Sequence, residues 1–199
     1  SAAAPAWAAT GAETAAAAKA AAPAAACDRQ CLIDATDAYV AGLVAHDIAK
    51  APLSDEIVFV ENATRAWDMA VYGYPFRAGD RVLTARAEYA SNVIALLQLQ
   101  RRHGIEIVLI DDDEHGQISL DHLQAELAIG AAMVALTHAP TNGGLINPVA
   151  AVGELCRNNG VFYVLDACQA VGQIPIDVTA IDCDVLSATS RKYLRGPLA

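Results

Sequence analysis

From Ile57 onward the chain alternates short, continuous apolar runs with longer segments in which apolar side chains recur every three or four positions. The short runs are rich in β-branched, aliphatic and aromatic residues and predict strands at Ile57–Val60, Arg81–Thr84, Glu106–Ile110, Ala132–Thr137, Val161–Leu165 and Asp184–Ser187. Between them, helical spacing covers Arg65–Tyr72, Ser91–Arg102, Leu120–Leu127 and Val149–Asn159, the last ending at Gly160. Strands without polar alternation are buried on both faces. The pattern therefore predicts an α/β fold with a mostly parallel sheet and helices on both faces.

The amino-terminal quarter reads differently. Residues 1–26 hold seventeen alanines with Pro5 and Pro23, too few large apolar groups for a core, and read as a low-complexity tail or linker. Residues 28–47 show helical spacing of Leu32, Ala35, Tyr39, Gly42 and Leu43, and Pro52 closes that helix. Three segments are thus expected: the tail at 1–26, a helical lead-in at 27–54, and an α/β domain over 55–199.

Composition narrows the function classes. Although 55% of the residues are hydrophobic, alanine inflates that figure, and no run is long and apolar enough to predict a membrane span. A formal charge of −10 argues against a nucleic-acid surface, which needs a clustered basic face. It leaves room for a small anion held by backbone amides and one or two cations. Five cysteines, Cys27, Cys31, Cys156, Cys168 and Cys183, without Cys-x-x-Cys or a partnered histidine spacing, indicate neither a disulfide framework nor a zinc site. A reducing, cytoplasmic setting is the expectation, with no metal. The chain opens without Met and stops just after Gly196-Pro197, so a partial chain is expected.

In parallel sheets ligands gather at the carboxyl ends of strands, which makes the residues following each strand the ones to weigh. After the first run, Asn62-Ala63-Thr64 opens a helix, as an ordinary cap or as an anion site. After the second, Tyr89 is either half-buried packing or a flat ring for an aromatic ligand. Thr137-His-Ala-Pro-Thr-Asn-Gly-Gly144 is a turn rich in donors, with His138 read as a satisfied structural residue. Asp166 ends a buried apolar strand, a costly place for a charge without a cationic partner, and either caps the next helix or awaits a protonated ligand nitrogen. Beyond the last strand lies Thr189-Ser-Arg191-Lys192. Lys192 is one of three lysines, with Lys19 and Lys50, and the only one after Ile57. A lysine amine in a low-dielectric site beside other cations becomes a nucleophile towards aldehydes, while Thr189 and Arg191 suit a phosphate. An anion site, a carboxylate wanting a cationic nitrogen and an amine wanting a carbonyl match pyridoxal 5'-phosphate in all three parts.

At this point VENATRAWD, AEYASN, THAPTNGGLINP, YVLDACQAVGQIPIDV and DVLSATSRKYLRGP resemble the class V aminotransferase group of fold-type I pyridoxal-phosphate enzymes, which includes cysteine desulfurases, selenocysteine lyases and isopenicillin N epimerase-like proteins. The resemblance runs from about Asp55 to Pro197. It implies the large domain of such an enzyme, with its carboxyl-terminal small domain absent and a homodimer in the full-length parent. It implies Lys192 as the Schiff-base lysine and Asp166 as partner of the pyridine nitrogen. Gln169 corresponds to the group at the cofactor's phenolic oxygen, and Ala63 and Thr64, with Thr189 and Arg191, to the phosphate contacts. Tyr89 falls where desulfurases carry a histidine stacked on the ring, which can stack but cannot do the same acid–base work. Where relatives place an asparagine against the cofactor, ungapped alignment gives Thr141, with Asn142 beside it, and the choice stays open. None of the cysteines matches the mobile nucleophile of desulfurases; Cys168 lies where relatives carry a small residue. Tyr39–Glu56 fits the helix before the family's first strand, whereas CDRQCLIDATDAYVAGLVAHD also resembles the start of a SnoaL-like domain.

The expected function is that of a lyase or transferase acting on an amino acid through Lys192. The alternatives are an inactive fragment or fusion product that keeps the fold, and a doubly wound nucleotide-binding module. The last lacks Gly-x-Gly-x-x-Gly and Gly-x-x-x-x-Gly-Lys-[Ser/Thr].

Overall fold

The computed structural model describes residues 29–45, 47, 53 and 57–194. The alanine-rich segment 1–26, Cys27, Lys50, the helix stop at Pro52 and the Gly196-Pro197 pair lie outside the described residues. The chain divides into two compact units, Ser1–Val58 and Phe59–Ala199.

In the first unit, helix α1 spans Arg29–Val44, as its spacing predicts, with Gly42 buried and Ile33, Val40 and Val44 exposed. Gln30 bonds Asp34 one turn on, at 2.8 Å. Cys31 is disulfide-bonded, a correction to the reading that cysteine spacing indicates no pairing, whereas Cys156, Cys168 and Cys183 are free.

The second unit is built on a five-stranded sheet. In chain order its elements are α2 (Ala63–Gly73), β1 (Arg81–Thr84), α3 (Ala90–His103), β2 (Glu106–Leu109), α4 (Leu120–Ile129), β3 (Met133–Thr137), α5 (Val149–Asn159), β4 (Phe162–Asp166), α6 (Val178–Ile181) and β5 (Val185–Ser187). Every pairing is parallel and the spatial order is β2-β1-β3-β4-β5. The order reverses between β1 and β3, so the loops leaving those two strands diverge and open a crevice at their carboxyl ends.

Alternation along the strands divides the core in two. Leu83, Val134, Leu136, Tyr163 and Leu165 pack with Leu123 and Leu127 of α4 and Val152 and Cys156 of α5. Val82, Met133, Ala135 and Val164 pack with Trp67 and Val71 of α2 and Ala95, Leu96 and Leu99 of α3. Because strand side chains alternate with period two, Thr84, Thr137, Asp166 and Ser187 inherit the α2/α3 face at the carboxyl end. All four are buried. A polar rim thus caps an apolar layer.

Local chemistry sets the helix ends. Asn62 caps α2 by accepting from Arg65 N at 2.9 Å, and Ser119 caps α4 by accepting from His122 N at 3.2 Å. Gly104 and Gly160 end α3 and α5 in the left-handed region. Asp177 caps the short α6 through Thr179 N and Ala180 N. That helix is absent from the sequence reading because four residues are too few to show a period.

One expected strand does not form. Residues 57–60 have no sheet partner, and Ile57, Val58 and Phe59 are exposed. β-Branched and aromatic residues favour a strand only where a pleated neighbour packs against them, and this run has none.

Candidate functional site

Four loops at the carboxyl edge of the sheet and the amino end of α2 surround an open cleft of about 500 Å³. It takes Ala63 and Thr64 from the first turn of α2, Tyr89 from the β1–α3 loop, Thr141 from the loop after β3, and Gln169 from the turn after β4. Thr189, Arg191 and Lys192 come from the turn after β5, and Asp166 closes the floor at the end of β4. Nine of the ten residues singled out in the sequence therefore line one cleft. Asn142 does not: it is exposed, while Thr141 accepts from Gln169 Nε2 at 3.2 Å.

Asp166 is the deepest of these groups, only 6% exposed. Its Oδ1 accepts from Cys168 N at 2.9 Å and its Oδ2 from Asn92 Nδ2 at 3.0 Å. A turn and not a helix follows β4, so the helix-capping role expected of this aspartate is not met; the first bond ties that turn and coexists with a place on the cleft floor. Among the described residues no cationic side chain forms an ion pair with Asp166. Two oxygens offer about four acceptor positions, so the carboxylate retains capacity for a further donor.

Lys192 stands across from it. The amine is half-buried and its Nζ lies 5.8 Å from the centre of the Tyr89 ring, a cation–π contact. Tyr89 itself is 46% exposed, so its ring offers surface to the cleft rather than to the core. At the other end, the first turn of α2 presents Ala63 and Thr64, and Thr64 Oγ1 lies 3.4 Å from Ser91 Oγ. The amino end of an eleven-residue helix carries partial positive charge and unpaired amides. Arg191 and Lys192 add the full positive charges of the rim.

Four lining or supporting residues lay outside the sequence assignment: Asn92, Thr137, Cys168 and Glu88. Asn92 is 2% exposed and continues the buried stripe of α3 with Ala95, Leu96 and Leu99. A polar residue in an otherwise apolar stripe was the available signal. Glu88 reaches from the β1–α3 loop to Thr137, accepting the backbone N–H at 2.8 Å and the hydroxyl at 2.5 Å. Burial pushes its carboxyl up to about 7 against the pull of those bonds, with the Asp166 charge adding to the rise. Burial, and after it Asp166, holds the Cys168 thiol well above its ordinary range, which makes it a poor nucleophile. His138 is buried and burial lowers its pKa, but its Nδ1 makes no hydrogen bond within the protein, so the expected satisfied histidine is not what the structure holds. Only its backbone is tied, to Asp166 O at 2.9 Å and Asn147 N at 2.8 Å. Among the described residues no cluster of three or more potential metal ligands occurs, and no helix is long and apolar enough to cross a membrane.

Comparison with known proteins agrees with the fold. The family model described as aminotransferase class-V matches residues 36–198. The chain is 31% identical over 161 residues to cysteine desulfurase IscS of Shewanella frigidimarina, and 32% identical over 162 residues to that of Proteus mirabilis. Each alignment takes in 76% of this chain but only 39% and 40% of the relative, so the chain spans about two-fifths of the length of the curated proteins it matches. Among solved structures, the apo cysteine desulfurase of Thermococcus onnurineus NA1 superposes with a TM-score of 0.70 at 26% identity, over 86% of this chain and 43% of that one. A C-DES variant with glycine covalently linked to its PLP cofactor shares the fold, with a TM-score of 0.66 at 20% identity. The matched segment contains the whole sheet and each residue of the cleft: the chain belongs to the aminotransferase class-V family and is cysteine desulfurase-like.

Proposed function

We propose that this chain is the pyridoxal-phosphate-binding part of an enzyme acting on an amino acid, with Lys192 as the covalent anchor of the cofactor. The observation that carries the reading is the placing of the Lys192 amine against Tyr89 in the cleft whose floor is the Asp166 carboxylate. The donor set fits the group. The α2 amides with Thr64, Thr189 and Arg191 suit a phosphate, Asp166 suits a protonated ring nitrogen, Gln169 the phenolic oxygen, and Lys192 an aldehyde. Thr141, rather than Asn142, is the residue of that pair that lines the cleft.

When bound, pyridoxal phosphate supplies an electron sink for charge that develops at the substrate α-carbon. The protein's part is positional and electrostatic. Asp166, short of cationic partners, would hold a proton on the ring nitrogen. Tyr89 would cover a ring face, and the Lys192 amine would carry a proton to or from the α-carbon. Desulfuration, transamination, epimerisation and elimination all need those steps. In the same reading residues 55–199 form the large domain, the parent acts as a cytoplasmic homodimer, and its substrate is a small amino acid.

A second reading has its own support: the chain spans about two-fifths of its relatives, which suits a fold-retaining fragment without activity. Titrating the chain with pyridoxal phosphate, reducing with borohydride and mapping the labelled peptide separates the two. A label on Lys192 that disappears in Lys192→Ala supports the first reading; no label at saturating cofactor supports the second.

A further inference from the structure

The crevice where the strand order reverses is bridged by one side chain. Glu88 leaves the β1–α3 loop and holds the last residue of β3 by two bonds, to Thr137 N at 2.8 Å and Thr137 Oγ1 at 2.5 Å. Thr137 is in register with Asp166 on the neighbouring strand. Four residues beyond Glu88, Asn92 donates to Asp166 Oδ2 at 3.0 Å. Tyr89, the next residue in the chain, carries the ring under Lys192. The β1–α3 loop and the first turn of α3 therefore set three elements of the cleft: the end of β3, the floor carboxylate and the aromatic ring.

Resting on the function proposed above, we propose that Glu88 is a positioning residue of this site: through Thr137, in register with Asp166, it holds the mouth of the β1/β3 crevice and keeps the Asp166 carboxyl oriented towards the ligand. An ordinary loop glutamate would face solvent. This one is partly buried and spends both oxygens on a neighbouring strand. A second carboxyl brought close to Asp166 is destabilising unless a proton or intervening donors screen the pair, and Asn92 and Thr137 are those donors. The ionisable groups that sense Glu88 are Asp166 and Tyr163, both on β4, while its hydrogen-bond partner Thr137 and the nearby Asn92 are neutral. With Glu88 in its acid form the Thr137 hydroxyl accepts; with Glu88 ionised it donates. The clamp persists, but the charge beside Asp166 changes.

The test uses the chain without cofactor first. Carboxyl carbon NMR shifts of Glu88 and Asp166 are followed from pH 4 to 9 in the wild type, Glu88→Gln and Glu88→Ala. Glu88 is expected to titrate near neutrality, and the Asp166 signal to show an inflection at the same pH that is lost in Glu88→Gln. Pyridoxal phosphate affinity is then measured for each protein. Glu88→Gln, which keeps an acceptor for Thr137 N and a donor for its hydroxyl, is expected to bind within about threefold of the wild type. Glu88→Ala is expected to lose tenfold or more. A Glu88 signal titrating below pH 5, an Asp166 inflection unchanged in Glu88→Gln, or wild-type affinity in Glu88→Ala overturns the proposal. If the coupling is present while no variant, including the wild type, binds the cofactor, the clamp stands and the functional reading falls.

Discussion

The Lys192 amine and the Tyr89 ring meet at 5.8 Å, joining the turn after β5 to the loop after β1 across the full width of the cleft. These two residues lie more than a hundred positions apart in the chain, and neither has a reason to meet the other except through the order of the sheet. The contact holds the amine over a π face. A ring stacked on an aromatic ligand is worth about 0.5–1.5 kcal/mol. Tyr89→Ala, which removes the ring proposed to cover the cofactor, is therefore expected to weaken pyridoxal phosphate binding about two- to tenfold, and Tyr89→Phe, which keeps the ring, to stay near wild type. Fluorescence titration of the three proteins reads this directly; a loss in Tyr89→Phe equal to that in Tyr89→Ala would assign the effect to the hydroxyl instead.

Asp166→Asn asks whether the floor carboxylate is there for charge. An amide oxygen still accepts from Cys168 N or from Asn92, but the amide nitrogen faces a donor on the other side, so one bond is lost. A charge-assisted bond to a protonated ring nitrogen is worth about 1.5–3 kcal/mol. Its loss predicts a fall in cofactor affinity of about ten- to a hundredfold, with circular dichroism confirming that the fold is kept. Affinity unchanged in a folded Asp166→Asn would remove Asp166 from the ligand site.

The raised carboxyl of Glu88 has a consequence for stability whose sign is the reverse of the usual acid case. Its folded pKa of about 7 lies above the ordinary value of 4.5, so between those limits the folded state holds a proton that the unfolded chain does not. Stability from this group falls as pH rises from about 4.5 to 7. His138, lowered by burial, acts oppositely, costing stability as pH falls through the ordinary histidine range. Asp111 and Glu126 are lowered, first by their bonds to Arg86 and Arg81 respectively, and matter only at more acid pH. The difference between wild type and Glu88→Gln isolates the first effect. Urea midpoints measured from pH 4.5 to 8 are expected to show a Glu88-dependent decline that Glu88→Gln lacks; parallel curves would count against it.

The same residues show what a sequence reveals and what it withholds. Asp166 was legible because a charge closes a continuous apolar run, and Lys192 because lysine is otherwise absent after Ile57. Each is an exception to its surroundings, and exceptions can be seen one residue at a time. Glu88 and Asn92 sit in Ala-Glu-Tyr-Ala-Ser-Asn, where polar residues are ordinary for a loop entering a helix. Their meaning lies in Thr137 and Asp166, which the sheet brings to them. Ile57–Val60 erred the other way: its residues suit a strand, but pairing is a property of neighbours. Alignment gives Thr141 with Asn142 beside it, and the bond from Gln169 that ties Thr141 at the cleft cannot be read from the sequence.

Two glycines give the sharpest contrast between a fold effect and a site effect. Gly153 in α5 lies so close to α6 that an added Cβ would stand 1.8 Å from Ile181 O. Gly153→Ala must push the helices apart, an overpacking cost of about 1–3 kcal/mol, and it does so on the sheet face opposite the cleft floor. Gly172, at φ +88°, meets the turn that carries Lys192: a Cβ there would approach Tyr193 C at 3.0 Å, Tyr193 Cβ at 3.1 Å and Leu194 N at 3.2 Å. Gly172→Ala adds left-handed backbone strain of about 1–2 kcal/mol and displaces residues next to the amine. Both variants should melt earlier than wild type. Below their melting temperatures they should differ, because only one disturbs the turn that carries Lys192. Borohydride trapping of pyridoxal phosphate on Lys192 is expected to stay near the wild-type yield in Gly153→Ala and to fall severalfold in Gly172→Ala. Equal yields in the two folded variants would mean that the turn at 190–194 tolerates displacement, and that the position of the amine is set by Tyr89 rather than by the backbone beneath it.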